Sequence, residues 1–168
     1  MEDNPKKGYV FIYINVEDAE SIEDYFRMLG EALLDSKAIG SLIKQSEKAQ
    51  SAFKSFTDRI KKVKIFNVEV ETKEAAPSSF RAEFDQLMKD IDEDAFKIIL
   101  MIDEFPIAVE QIARKLGSEI AVNFLHINRG LRQKAKKGIQ FIYTGSIGLP
   151  NIAGKLDATL TVNDLNVY

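Results

Sequence analysis

The chain has no cysteine and one histidine in 168 residues. Without cysteine there is neither a disulfide nor a thiolate metal site. A lone histidine, His126, excludes a multi-histidine metal cluster and argues against a histidine-based triad. Lying among Phe124, Leu125 and Ile127, it reads as a packed or half-exposed helix residue. An excess of positive charge is also missing. Twenty-three Lys and Arg stand against 26 Asp and Glu, a net charge of −3, so no global basic field exists to hold nucleic acid. The longest apolar run, residues 9–14, falls far short of the ~20 residues that cross a bilayer. No charged segment followed by a long apolar stretch opens the chain, so no secretory signal is visible. What is present is ordinary globular composition, 45% hydrophobic and 29% charged. A chain of this length can bury roughly 70% of its unfolded surface. These features point to one soluble, cytoplasmic domain over residues 1–168.

Four short runs are rich in β-branched and aromatic residues: 9–16 (YVFIYINV), 97–103 (KIILMID), 139–144 (IQFIYT) and 158–162 (ATLTV). The first three are apolar nearly throughout, the pattern of parallel strands covered on both faces. Between them the period becomes helical. Ile22, Phe26, Leu29 and Leu33 recur at three and four, with Glu17, Asp18 and Glu20 crowding the start of that helix, where the dipole favours acids. A second helical stretch carries Ile39, Leu42, Ile43, Ala49, Phe53, Phe56 and Ile60. A third follows Pro77 with Ser79 as N-cap and Phe80, Phe84, Leu87, Met88 and Ile91 on one face. Pro106 suits a first helical turn. That helix ends near Gly117, and Ser118 caps another that reaches Lys136 or Lys137. Residues 63–71 (VKIFNVEVE) read as a small β insertion. The fold expected is α/β, a three-layer sandwich around a mostly parallel sheet.

Charge is unevenly spread. Residues 44–64 carry seven basic and two acidic side chains, residues 67–95 nine acidic and three basic, and residues 129–137 five basic and none acidic. Solvated helix faces account for this, and complementary surfaces between neighbouring molecules are the sharper reading.

The segment that carries chemistry is KIILMIDEFP, residues 97–106. A buried strand ends in Asp103-Glu104, and ligands of open α/β sheets bind beyond the carboxyl ends of strands. An Asp there can hold Mg²⁺, usually through water. A neighbouring Glu can orient and deprotonate a water attacking a phosphate. Thr144 and Ser146 end a second strand, and Asn15 lies near the tip of the first.

In the motifs YINVED, LMIDEFP and YTGSIGL the chain resembles the AAA+ branch of P-loop ATPases, most of all the prokaryotic and archaeal-type ATPases grouped with the signal-transduction (STAND) ATPases. The resemblance implies a P-loop NTPase-like fold, ATP and Mg²⁺ as ligands, and a nucleotide-driven switch. It makes Asp103 the Walker B residue associated with Mg²⁺ and Glu104 the catalytic base. Ser146, or else Thr144, becomes the sensor of the γ-phosphate. Asn15 becomes the residue that restrains the catalytic Glu, and Arg129 or Arg132 the arginine finger.

The departure is the P-loop itself. No G-x-x-x-x-G-K-[ST] occurs, and the nearest segment, residues 148–155, has the wrong spacing, Leu156 in place of Ser or Thr, and follows the wrong strand. The resemblance therefore implies a truncated ATPase core without Walker A motif or C-terminal lid, inactive alone. A module that binds or assembles on a degenerate core is the alternative. A Mg²⁺-dependent nuclease or phosphatase lacks further clustered acids. In the family the sheet order is fifth, first, fourth, third, second. Loss of the first strand leaves residues 139–144 with an open edge, so either residues 158–162 fill the vacancy or two copies associate, most simply as a dimer.

Overall fold

In a computed structural model of the chain, the described residues are 8–43, 47–65, 79–90, 97–135 and 139–165. Three strands alternate with helices: β1 (Tyr9–Asn15), α1 (Ile22–Asp35), α2 (Lys37–Ile43), α3 (Glu47–Ile65), α4 (Phe80–Asp90), β2 (Lys97–Asp103), α5 (Phe105–Leu116), α6 (Ser118–Lys134), β3 (Ile139–Tyr143) and α7 (Leu149–Lys155). The chain divides into two units, residues 1–25 with 93–168, and residues 26–92. Among the described residues no helix is long and apolar enough to cross a membrane.

The first unit holds a parallel sheet of order β1-β2-β3. Tyr9 lies opposite Lys97 and Asn15 opposite Asp103, while Ile98 pairs with Ile139 and Ile102 with Tyr143. This register puts Val10, Ile12, Ile14, Ile98, Leu100, Ile102 and Ile139 on one side of the sheet, and all are buried. Helical side chains cover them. Phe105 packs on Tyr143 with ring centroids 4.5 Å apart, and Tyr25 meets Phe124 edge to face at 4.8 Å. Each fully buried side chain of this size contributes about 1.5–3 kcal/mol through removal from water.

The opposite side of the sheet is covered only in part: Ile99 of the middle strand, which faces this way, is buried and Met101 half-buried. Tyr9, Phe11, Tyr13 and Ile142 face outward and are exposed, so strand β1 alternates exposed and buried. The outward positions are themselves apolar, and hydrophobicity alone cannot separate a covered face from a bare one.

Two expected β segments also differ. Residues 63–65 continue α3, and the remainder of the expected insertion, 66–71, lies outside the described residues, as do Pro77, Ile91 and much of the acidic stretch 67–95. Residues 158–162 form no strand. Thr159–Thr161 is a 3-10 turn closed by the Thr161 hydroxyl, which donates to the Ala158 carbonyl at 2.6 Å. Side-chain bonding to nearby backbone outcompetes the β preference of threonine here. These residues therefore do not fill the edge of β3, which among the described residues pairs only with β2.

Helix ends follow local chemistry. Ser21 caps α1 by accepting the Asp24 N–H at 3.1 Å, with Glu23 and Asp24 rather than the earlier acids in the first turn. Ser79 caps α4 through the Ala82 N–H at 3.1 Å. Pro106 sits in the first turn of α5. Gly117, at φ 99°, separates α5 from α6 and serves as the cap, so Ser118 is the first residue of α6, which ends at Lys134.

The second unit is helical, with Phe26, Leu33, Phe56, Ile60, Phe80 and Phe84 buried. Phe26 and Phe84 stand 5.5 Å apart and Phe56 and Phe80 5.7 Å. Gly30 permits this packing, because a Cβ there would lie 1.8 Å from the Phe56 ring.

Candidate functional site

The carboxyl ends of the three strands converge through main-chain bonds. Val16 N–H donates to the Asp103 carbonyl at 3.0 Å, Thr144 N–H to the Ile102 carbonyl at 2.9 Å, and Phe105 N–H to the Thr144 carbonyl at 3.2 Å. Between β2 and α5 the chain turns on a single residue. Glu104 takes the left-handed conformation, φ 54° and ψ 30°, which costs a non-glycine residue of order 1–3 kcal/mol and persists only where its surroundings enforce it.

Those surroundings are specific. Ser146 donates both its N–H and its hydroxyl to Glu104 Oε2, each at 3.0 Å. Gly145 allows the approach: a Cβ there would stand 2.6 Å from Pro106 Cδ and 3.3 Å from Glu104 Oε2. Next to Glu104, the Thr144 hydroxyl donates to Asp103 Oδ1 and the Tyr13 phenol to Oδ2, both at 2.6 Å. The Thr144 bond first, and the Tyr13 bond second, hold the Asp103 carboxyl below the ordinary aspartate range. The same bond to Asp103 pushes the Tyr13 phenol up. The pair is therefore an ionised carboxylate with a neutral phenol. Two neighbouring acids are thus held by different donors in fixed orientations.

The structure brings together Asp103, Glu104, Thr144 and Ser146. Asn15 stands opposite Asp103 at the neighbouring strand tip, and its side-chain oxygen accepts the Glu17 N–H at 2.8 Å, closing a turn at the strand end. Ser146 is the residue found on Glu104.

Arg129 and Arg132 bond elsewhere. Arg132 makes a two-pronged pair with Asp164, at 2.7 and 3.0 Å, and donates to the Thr161 carbonyl at 2.8 Å. Its guanidinium lies 5.4 Å from the Tyr143 ring centroid. Arg129 donates to the Leu160 carbonyl. Together they fasten the turn at residues 159–161 to α6. His126 is exposed on α6. Residues 148–155 hold the short helix α7, capped by Gly148, rather than a phosphate-binding loop.

Two features were missed in the sequence. Tyr13 read as one more apolar strand residue. Its place two residues before Asn15, on the same side of β1, was the available signal. The second is a buried polar cluster: Tyr25 and Tyr143 both donate to Asn128 Oδ1, at 2.7 and 3.3 Å, and Asn128 Nδ2 donates to the Phe124 carbonyl at 3.0 Å. Burial pushes the Tyr143 phenol up to about 12 and raises Tyr25 well above its ordinary value.

Mg²⁺ is commonly held through one or two carboxylates together with phosphate oxygens and water. Asp103 with the Thr144 hydroxyl is a hard-oxygen set of that size. Among the described residues no group of three or more His, Cys, Asp or Glu side chains is placed to hold a metal ion by itself. Comparison with known proteins finds no matching family model, no matching curated protein and no matching solved structure.

Proposed function

We propose that this chain carries the acidic half of a P-loop-type ATPase core of the AAA+/STAND kind, part of a nucleotide-driven switch. The observation that carries the reading is the Asp103-Glu104 pair at the tip of the middle parallel strand, bonded to Thr144 and Ser146 from the next. On this reading Asp103 and Thr144 would hold Mg²⁺, which would supply positive charge to offset that of the phosphate oxygens. Thr144 and Tyr13 keep Asp103 ionised for that role. Glu104 accepts the proton of an attacking water, and Ser146 fixes the carboxylate that receives it. The 168 residues contain no Walker A sequence, and backbone donors with a lysine supply much of the grip on phosphates. Nucleotide binding by this chain is therefore weak and its hydrolysis negligible.

The experiment is amide NMR with Mn²⁺·ATP as probe. Paramagnetic broadening centred on residues 103–105 and 144–146, lost in Asp103→Asn, is the expected result. Broadening centred elsewhere, or unchanged in Asp103→Asn, overturns the reading. A micromolar dissociation constant for Mg·ATP by calorimetry contradicts the expected weakness. A second reading, an assembly module built on a degenerate core, is favoured by the exposed rings of Tyr9, Phe11 and Tyr13 on the outward side of the sheet.

A further inference from the structure

The outward side of the sheet combines exposed rings with a charge pattern that matches itself. Tyr9, Phe11, Tyr13 and Ile142 are 39, 48, 56 and 42% exposed. At about 150–250 Å² per aromatic side chain, the three rings alone leave roughly 300 Å² of largely apolar surface open, within the range of the largest patch on an ordinary monomer, which is often functional. The Tyr9 and Phe11 rings are stacked, 6.3 Å apart and inclined by 22°. The middle strand crosses this side with Lys97 at its start and Asp103 at its end. Lys97 Nζ lies 5.7 Å from the Tyr9 ring centroid, and Asp103 meets the Tyr13 phenol, so both charges border the rings. Six residue steps along the strand separate them, about 20 Å.

We propose that this side of the sheet binds a second copy of the same chain, sheet on sheet, with the two β2 strands antiparallel about a two-fold axis. That geometry sets Lys97 of each copy over Asp103 of the other, the reciprocal pairing a two-fold contact requires. Facing sheets stand about 10 Å apart, a gap that side chains from both copies fill. The alternative axis, along the strands, opposes Lys97 to Lys97 and Asp103 to Asp103 and is disfavoured by like charge. Asp103 retains lone pairs beyond those used by Thr144 and Tyr13. With roughly 300 Å² of ring surface on each copy, such a contact is smaller than the roughly 1,200–2,000 Å² of a standard stable interface, so a reversible monomer–dimer equilibrium is expected. It is a contact across the face, distinct from pairing along the open edge of β3.

Sedimentation equilibrium across a wide concentration range tests it. Self-association is expected, and Phe11→Glu should abolish it. Lys97→Asp and Asp103→Lys should each weaken it about tenfold or more, because each opposes like charges at both contacts. Mixing these two variants opposes unlike charges at both contacts and should restore association as a heterodimer. A chain that stays monomeric at every concentration overturns the proposal. So does a dimer indifferent to Phe11→Glu and to both charge reversals. Asp103 is shared between this contact and the proposed cation site, whereas Lys97 and Phe11 lie away from that site, so loss of association in Lys97→Asp and Phe11→Glu is read without altering the carboxylates that Mn²⁺·ATP probes.

Discussion

At the scale of single residues, the unusual feature is Asp103 with a hydroxyl on each oxygen. Removing one donor tests which matters more. Thr144→Val should raise the Asp103 carboxyl toward its ordinary value more than Tyr13→Phe does, since the Thr144 bond is the larger influence. Carbon-detected NMR titration of the aspartate carboxyl measures both, and equal or reversed shifts would contradict the assignment. The carboxylates themselves were legible in the sequence, because Asp103-Glu104 interrupts an apolar run where a strand must end. Tyr13 was not legible as their partner. Its hydroxyl reaches Asp103 only through the β1–β2 register, which no local pattern encodes. Gly145 is a second residue-scale test. Its Cβ-less backbone lies against Pro106, whose ring cannot rotate away. Gly145→Ala should cost about 1–3 kcal/mol through overpacking, measured by chemical denaturation, and an unchanged midpoint would show that the loop has room.

At the scale of elements, local rules succeeded where local chemistry decides. The three strands, the Ser79 cap and Pro106 in the first turn of α5 follow from side-chain period and capping preference. They failed at residues 158–162, where Thr161 bonds its own turn and Arg132 and Arg129 take the carbonyls of Thr161 and Leu160. Those arginines are distant in sequence, so the β-branched composition misled. The consequence is testable. Arg132→Ala should release the turn at a cost of about 1.5–3 kcal/mol, the range for hydrogen bonds to charged groups. Amide exchange should quicken in residues 158–164 and stay unchanged in β1 and β2. Arg132→Lys should not restore protection, because a single ammonium cannot form the two-pronged pair with Asp164. Full rescue by lysine would mean that charge alone holds the turn.

At the scale of the whole molecule, stability at high pH is tied to the buried phenols of the sheet-bearing unit. Tyr25 and Tyr143 share Asn128 as acceptor in the core beneath the strands. Burial raises both phenols, Tyr143 to about 12 and Tyr25 well above the ordinary value of 10.0. A group whose pKa is higher folded than unfolded favours the fold below its unfolded value and loses that contribution as pH climbs toward the folded one. The fold binds the phenolic protons more tightly than the unfolded chain does. Stability should therefore hold up to pH 10 and fall between 10 and about 12. Urea unfolding on either side of pH 10 reads the slope, and the share of the phenolate absorbance that is lost in Tyr143→Phe should appear together with unfolding rather than ahead of it. Tyr143→Phe removes one of the two buried phenols while leaving Tyr25 on Asn128, so its slope across this window should be shallower. A slope identical to that of the parent chain would place the alkaline sensitivity outside this cluster.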